Sequence, residues 1–281
     1  MDTRKLTEEM IGEYCEWLQI EEKEAATIEK YVRDVRTFYR FANNRPVEKS
    51  LAIAYKQHLI QKGYAISSIN SMLVAMNSLF SHLGWADCRV RTMKKQRQIY
   101  CPASKELTRG EYLKLIDVAQ KEGNQRLVLI LQTLCATGIR VSELQYITVE
   151  AVVRGEAVVN CKGKTRVVFV VSQLQEKLLD YARQKGITEG VIFVTRTGKP
   201  VDRINIWRDM KNISRKAGIN PEKVTPHSLR HLFARAFYNT NKDIVKLADV
   251  LGHSSVNTTR IYVISTGDEH RQCMEELRLV P

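Results

Sequence analysis

Apolar residues recur at helical spacing along most of this chain, and this periodicity limits its possible folds more than any other feature. Between residues 66 and 83, Ile69, Leu73, Met76 and Phe80 are four, three and four positions apart, which places all four on one face of a helix. Similar segments make up most of the first ninety residues. They predict a small domain over residues 1–87 with four helices, near 7–20, 24–43, 46–62 and 66–83.

The rest of the chain keeps the helical spacing but interrupts it once. Thr108 and Glu111 have the spacing of a capping box and begin a second domain, residues 107–281. From Val149, the runs VEAVV, EAVVN and RVVFVV are separated by turn residues, which predicts a small antiparallel meander. A short strand is expected at 191–194. The predicted fold class is mainly α, with two domains and one small antiparallel sheet. Helices of the second domain are expected near 108–122, 124–137, 140–147, 173–184, 203–217, 226–239, 243–250, 255–263 and 268–277.

The net charge of +13 is carried entirely by the later part of the sequence. Basic and acidic side chains number twelve each over residues 1–90, whereas residues 91–281 have thirty-two basic and nineteen acidic ones. Such an excess favours a polyanionic partner. Residues 88–106 combine Pro102, weak periodicity and no acidic side chain before Glu106, and predict a basic linker that crosses DNA phosphates. Its basic residues are Arg89, Arg91, Lys94, Lys95, Arg97 and Lys105.

Two helices of the first domain carry charged stripes, and each stripe allows two interpretations. The acidic stripe of the first helix is either a solvated face or a surface for another protein. The basic stripe of the second helix is either a solvated face or a surface that lies against a DNA backbone. The acidic residues are Glu8, Glu9, Glu13 and Glu16, and the basic ones are Lys30, Arg33, Arg36 and Arg40.

Two classes of protein are disfavoured by what the sequence lacks. The start MDTRKLTEEM has no apolar signal-peptide core, and no stretch approaches eighteen uncharged apolar residues, so we expect a cytoplasmic protein without a membrane partner. The six cysteines form no C-x-x-C pair, which argues against a zinc ribbon and a secreted disulfide framework.

Three patches of the second domain place polar residues suited to phosphate in otherwise apolar, helix-forming sequence. They are ATGIRVSEL (136–144), TPHSLRHLFA (225–234) and LGHSSVNTTRIY (251–262). In the first patch, Arg140 follows a helix break at Gly138. A guanidinium held in this way offers planar, bidentate donors to a phosphate.

The second and third patches add histidines. His227 and Arg230 are three residues apart near a helix N-terminus, where they share a face and the helix dipole favours an anion. His231, four residues after His227, has a spacing that also suits metal ligands, but Arg230 would crowd a cation. His253 follows Gly252, and Tyr262 lies nine residues further on.

Together, the three patches resemble the tyrosine recombinase family, also called the phage integrase family, and the resemblance covers essentially the whole chain. The active site of that family contains two arginines, two histidines, a lysine in a β-turn and a nucleophilic tyrosine. The resemblance assigns Arg140 to the first arginine, Glu143 to its acidic neighbour, His227 and Arg230 to the H-x-x-R pair, His253 to the second histidine and Tyr262 to the nucleophile. It also implies a SAM-like core-binding first domain and a catalytic second domain, as in compact Xer-type and transposon-borne members.

The turn lysine has two candidates. Family members usually carry Gly-Lys-Gly, whereas this chain has Cys161 before Lys162 and a shorter turn. Lys162 is preferred as the general acid, with Lys164 as the alternative. Lys164 and Arg166 are otherwise expected to contact DNA.

The resemblance also implies how the chain acts. Tyr262 would attack a phosphodiester and form a covalent 3′-phosphotyrosyl intermediate, and strand exchange would proceed through a Holliday junction without metal or ATP. The implied partners are double-stranded DNA with an inverted-repeat core site, three further copies of the chain, and a second recombinase or accessory protein as an alternative. The protein would then be nucleoid-associated when bound. A tail at about 265–281 would dock on a neighbouring protomer or cap its own domain.

Two other hypotheses compete with this interpretation. A type IB topoisomerase would use much the same chemistry, although the resemblance would then not extend to a compact helical first domain and a docking tail. A non-catalytic DNA-binding regulator would explain the charge and the helices, but not the six phosphate-handling residues together.

Overall fold

The chain forms two compact units, residues 1–97 and 98–281. The computed structural model describes residues 4–94, 106–161, 164–262 and 274–277, with Cys161 and Lys164 described through their backbone alone. Within these ranges the chain is mainly α-helical with one small antiparallel sheet, which confirms the predicted fold class. No helix within them combines the length and the apolarity needed to cross a membrane.

The first unit is a helical bundle. The Thr7 hydroxyl accepts a hydrogen bond from the Met10 amide and caps the first helix. The second helix packs against the first and the fourth. The buried rings of Tyr55 and Phe80 meet that of Phe38 edge to face, with centroids 5.1 and 5.6 Å from its own. The helices are α1 (Glu8–Ile20), α2 (Ala25–Ala42), α3 (Lys49–Gln61) and α4 (Ile66–His82), followed by a 3₁₀ turn at Ala86–Cys88.

The segment after this turn is extended and is held on the first unit by side chains. The amide group of Asn77 bonds both the N–H and the carbonyl of Val90, and Asn70 does the same for Met93. These bonds replace the backbone partners that an extended segment would otherwise find in a sheet. The first part of the predicted linker therefore packs on the first unit.

The second unit is built around the helix Gln125–Thr137, which contacts four other helices of the unit and buries Leu127, Leu131 and Leu134. The predicted capping box is present, since Thr108 and Glu111 bond each other's backbone N–H groups. The helices are α5 (Arg109–Lys121), α6 (Gln125–Thr137), α7 (Val149–Arg154), α8 (Ser172–Gln184), α9 (Arg203–Lys216), α10 (Pro226–Asn241), α11 (Ile244–Leu251) and α12 (Val256–Thr259), with 3₁₀ segments at Val141–Tyr146, Pro221–Lys223 and Arg260–Tyr262.

The prediction of a strand for the first Val-rich run, VEAVV, was wrong. These residues form α7, because the Thr148 hydroxyl caps its N-terminus by accepting from the Ala151 N–H, and Gly155 ends it in the left-handed region at φ +79°. Helical spacing then buries Ala151 and Val152 while Val153 stays exposed. The predicted meander is a hairpin of two strands.

The hairpin consists of β1 (Glu156–Cys161) and β2 (Lys164–Phe169), paired from Glu156 opposite Phe169 to Cys161 opposite Lys164. Its side chains alternate between two faces, so that Val159 and Val168 are buried while Val158 and Val167 are exposed. The predicted strand at 191–194 is replaced by two single bridges, from Val191 to Thr148 and from Val194 to Pro200.

Candidate active site

The end of helix α6 fixes the backbone from which Arg140 projects. Gly138 terminates the helix at φ +63°, and a Cβ there would overlap the ring of Phe233 on α10, so only glycine fits. Arg140 then starts a 3₁₀ segment in which Glu143 accepts a hydrogen bond from the Arg140 N–H at 2.8 Å and pairs with its Nη1 at 2.7 Å. The Glu143 side chain is 1% exposed and that of Arg140 40%, so the guanidinium is held on one side and open on the other.

Arg230 on α10 is the most enclosed of the predicted phosphate ligands, at 2% exposed. Its Nη1 donates to the carbonyl of Gly138, and its Nη2 donates to the carbonyl of Leu251 at 2.7 Å. Buried polar groups require such partners. The guanidinium therefore joins the end of α6 to the end of α11.

His253 follows α11 and is held from both sides. Its Nε2 lies 3.0 Å from Nη2 of Arg230, and its Nδ1 lies 2.8 Å from the Thr259 hydroxyl. Because a guanidinium can only donate, Nε2 must accept and Nδ1 must carry the proton. Burial, with the positive charges of Arg230 and Arg140, lowers the pKa of His253 to about 4, in agreement with a neutral ring.

Tyr262 ends the last described 3₁₀ segment and lies inside the same cluster, at 4% exposed. Its ring stacks on His253 with centroids 5.4 Å apart, and the centroids of His231 and His227 lie at 4.3 and 5.7 Å. Tyr262 belongs to a small buried hydrophobic cluster that also contains Leu247 and Leu251. The tyrosine is thus surrounded by three imidazole rings within its own unit.

The two histidines of α10, His227 and His231, are hydrogen bonded to each other. Their Nε2 atoms are 3.1 Å apart, which requires one ring to donate and the other to accept. Removal from water, with the charges of Arg230 and Arg140, lowers the pKa of His227. Burial, with His227 and Arg230 nearby, lowers the pKa of His231 to about 4. Both rings are therefore favoured in their neutral forms.

The cluster has the electrostatic character of an anion site. Burial lowers the pKa of Arg230, as does the nearby charge of Arg140. Because guanidinium groups are cations, an anion between Arg140 and Arg230 would relieve their mutual repulsion. Within the described residues, no group of three or more His, Cys, Asp or Glu could hold a metal ion.

The basic residues expected near the turn lysine are only partly placed. Lys162 lies outside the described residues, and only the backbone of Lys164 is described. Arg166 points inward: it pairs with Glu143 at 2.7 Å and its side chain is 12% exposed. Its two Nη atoms donate to protein acceptors, while its buried Nε has no hydrogen-bond partner among the described residues. That Arg166 contacts DNA stays a prediction.

Three residues of the basic stripe of α2, Lys30, Arg33 and Arg40, line a groove of the first unit together with Tyr64 and the first turn of α4. Lys30 bonds Asp34 at 2.6 Å and Ser71, Arg33 approaches Asp34 at 3.7 Å, and Arg36 approaches Glu8 at 3.7 Å. Arg40 is exposed. Local carboxylates therefore offset part of the positive charge of this stripe.

The linker residues divide between described and undescribed chain. Arg89 and Arg91 are exposed, and their carbonyls accept hydrogen bonds from Lys49 and Lys56. Lys94 is exposed as well. Lys95, Arg97 and Lys105 lie outside the described residues.

Comparison with known proteins identifies the family. The model described as "Phage integrase family" matches residues 105–268, and the model "Phage integrase, N-terminal SAM-like domain" matches residues 7–87. The chain belongs to the phage integrase family of tyrosine recombinases. It is 30% identical over its whole length to Tyrosine recombinase XerA of Pyrococcus furiosus, of which 98% is covered, and 29% identical to Tyrosine recombinase XerD of Staphylococcus aureus, with 91% of this chain and 93% of the relative covered. The recombinase is therefore a site-specific one.

Solved structures agree with this fold. The crystal structure of XerA recombinase matches with a TM-score of 0.54 and 26% identity, covering 97% of the recombinase and 99% of that chain. A lambda integrase tetramer bound to a Holliday junction matches with a TM-score of 0.76 and 18% identity, covering 93% and 78%.

Three residues of the cluster have contacts that the sequence analysis did not predict. Thr259 is fully buried beneath His253, His231 lies against Tyr262, and Arg166 reaches Glu143 from β2. His231 carries a usable signal, since it lies one helical turn after His227. Thr259 and Arg166 resemble ordinary surface residues in the sequence, because their partners come from packing.

Proposed function

We propose that the recombinase cleaves and rejoins DNA through a covalent 3′-phosphotyrosyl intermediate at Tyr262, and that recombination proceeds through a Holliday junction. One observation carries this proposal. Tyr262 lies inside its own unit against His253, which accepts a hydrogen bond from Arg230, so a nucleophile and a phosphate ligand come together. Each protomer would then supply both the hydroxyl and the cationic clamp for one strand.

The two arginines would stabilise the charge that develops on the phosphate. Arg140 approaches from the open side and Arg230 from the buried side, and guanidinium donors match the non-bridging oxygens of a phosphodiester. Positioning and positive charge supply most of the catalysis in phosphoryl transfer. The clamp can therefore take the part that metal ions play in other enzymes, and the reaction needs neither metal nor ATP.

Proton transfer would involve the histidines and the turn lysine. The hydroxyl of a tyrosine has a pKa near 10, so it must lose its proton as it attacks. Neutral His227 is able to accept that proton, directly or through His231, to which it is hydrogen bonded. Lys162, with Lys164 as the alternative, would protonate the departing 5′ oxygen.

The first unit would contribute DNA binding. Lys30, Arg33 and Arg40 share a groove with the N-terminus of α4, where backbone N–H groups and the helix dipole also favour phosphate. The basic residues at 89–97 would continue this contact. The partners would be a duplex with an inverted-repeat core site and three further protomers, with the tail after Tyr262 docking on a neighbour.

Covalent retention tests the proposal without requiring a defined target sequence. Genomic fragments from the source organism are incubated with the protein, denatured in SDS, and the DNA that stays on the protein is sequenced. The wild type should retain one sequence class with an inverted repeat, and Tyr262→Phe should retain none. Equal retention by both proteins would overturn the mechanism.

The topoisomerase hypothesis requires a second measurement. Plasmids carrying two retained sites should yield recombinant joints with the wild type. A plasmid that loses supercoils without forming joints would instead identify a relaxing enzyme.

A further inference from the structure

Arg166 connects three parts of the second unit. It lies on β2, and its Nη2 donates to Oε2 of Glu143 at 2.7 Å while its Nη1 donates to the carbonyl of Val250 at 2.5 Å. These partners are 23 and 84 positions away in sequence. One side chain therefore ties the hairpin to the segment of Arg140 and to the end of α11.

Glu143 connects Arg166 to Arg140, because its carboxylate bonds both residues. Its Oε1 accepts from Arg140 Nη1, and its Oε2 accepts from both the Arg140 N–H and Arg166. Although burial opposes its charged form, the Arg140 N–H and the two guanidinium groups hold the pKa of Glu143 below its usual value. Without Arg166, a carboxylate that is 1% exposed would keep, among the described side chains, only Arg140 as a cationic partner.

The second contact fixes the turn that presents His253. Arg166 donates a hydrogen bond to the carbonyl of Val250, and Arg230 donates one to the carbonyl of Leu251. Two guanidinium groups therefore bind the C-terminal end of α11, where the helix dipole favours cations. Gly252 follows at φ +66°, and a Cβ there would overlap Cδ of Arg166. The close approach of Arg166 thus depends on the glycine before His253.

We propose that Arg166 is a positioning residue, which sets Arg140 and His253 relative to each other through Glu143 and the end of α11, and that it is not a DNA phosphate ligand. This inference rests on the proposed function, since it concerns the clamp used for cleavage. Arg166 donates to Glu143 on one side of the site and to the Val250 carbonyl on the other. Its side chain is 12% exposed, so little of its surface is accessible to DNA.

The test separates binding from chemistry with Arg166→Ala, Arg166→Lys and, as a control for lost positive charge, the exposed Arg154→Ala. The probe is a nicked duplex carrying a site recovered by covalent retention. For each protein, Kd is measured across a salt series, and the single-turnover cleavage rate is measured at saturating protein. Thermal melting of the full chain verifies folding.

We expect Arg166→Ala to leave Kd within about twofold of the wild type, with an unchanged salt slope, and to lower the cleavage rate by about 100-fold, as for a small misplacement of catalytic groups. Lysine retains the charge but cannot span both acceptors, so Arg166→Lys should recover about tenfold of that loss. Arg154→Ala should cleave like the wild type. The loss in Arg166→Ala combined with Glu143→Gln should be smaller than the product of the single losses, because Arg166 acts partly through Glu143.

Other outcomes overturn the inference. A weaker Kd with a salt slope reduced by about one, at an unchanged saturated rate, would make Arg166 a phosphate contact. Wild-type cleavage rates in Arg166→Lys and Arg166→Ala would rule out any positioning role. If the alanine variant does not fold, the test rests on Arg166→Lys. A cleavage rate below that of the wild type at unchanged Kd supports a positioning role, and a wild-type rate contradicts it. Failure of the wild type to form an adduct would instead refute the proposed function itself.

Discussion

The ring of His253 shows how one hydrogen-bond partner decides what a residue can do. Arg230 can only donate, so the ring must accept at Nε2 and hold its proton at Nδ1, towards Thr259. In this arrangement His253 orients Arg230 and packs on Tyr262. The ring could donate a hydrogen bond to a phosphate only after it binds a second proton or breaks its contact with Arg230. The neutral ring therefore needs no charge of its own to orient Arg230.

Thr259→Val tests this arrangement. Valine fills the same volume but leaves the Nδ1 proton of His253 without its acceptor, which costs about 1–3 kcal/mol at a buried site. We expect single-turnover cleavage to fall about tenfold or more at unchanged DNA affinity. Thr258→Val, at the exposed neighbour, is the matched control. Equal rates in the two variants would show that Thr259 does not orient the ring.

The depressed histidine pKa values predict a loss of stability in acid. His231 and His253 have pKa values of about 4 in the folded chain, below the usual 6.5, so the unfolded chain binds protons first as the pH falls. Their contribution is complete above about pH 6.5 and is lost as the pH falls towards about 4. Urea unfolding at pH 7 and pH 5 should show a larger drop for the wild type than for His231→Gln. A drop of the same size in both proteins would contradict the assignment.

At the scale of elements, helix ends do most to assemble the site. The end of α6 supplies Gly138 and Arg140, the end of α11 supplies Leu251 and His253, and the start of α10 supplies His227. Side chains that bridge these ends, above all Arg230, hold together elements that are distant in sequence.

The fit between α6 and α10 at Gly138 is open to a controlled test. Gly138→Ala adds a methyl group that overlaps the Phe233 ring, whereas Gly123→Ala has a similar φ of +68° and no atom within 4 Å. Both variants incur a left-handed strain of about 1–2 kcal/mol, and Gly138→Ala adds an overpacking cost of about 1–3 kcal/mol. Denaturant unfolding of the two variants measures the difference. Equal losses would mean that Phe233 moves aside without cost.

Much of the fold could be predicted because apolar spacing reports helices directly. The four helices of the first unit and Thr108 as a cap needed only local sequence. The run VEAVV was predicted as a strand because α7 has only six residues, too few to show the helical period in the sequence. The ends of α7 are set by Thr148 and Gly155. Residues in the three patches could be singled out by their chemistry and order. The role of Arg166 could not, since a contact over 84 positions leaves no local pattern.

At the scale of the whole molecule, the two units differ in charge and in the sites that they carry. The first has no net charge over residues 1–90, yet it gathers basic side chains into one groove and sets acidic ones on the exposed face of α1. Residues 91–97, at the end of the first unit, add four basic side chains and no acidic one, and the rest of the charge excess lies in the second unit with the candidate active site. A weakly basic unit with a basic groove can bind a backbone at one place while remaining weakly attractive elsewhere.

The groove predicts a change in binding without a change in chemistry. Arg33→Ala and Arg40→Ala should each weaken DNA binding and reduce the salt slope by about one, while the cleavage rate at saturating protein stays the same. Arg183→Ala, at an arginine of the second unit that is 78% exposed, is the control. Unchanged affinities for the groove variants would support the solvated-face interpretation of this stripe.

Mapping the covalent adduct tests the central claim most directly. A nicked duplex carrying a retained site is cleaved by the wild type, digested with nuclease and trypsin, and analysed by mass spectrometry. We predict a 3′-nucleotide attached through phosphate to Tyr262, in the peptide covering residues 261–271, and no adduct with Tyr262→Phe. A nucleotide on any other residue, or an adduct in the Tyr262→Phe protein, would contradict the proposed mechanism.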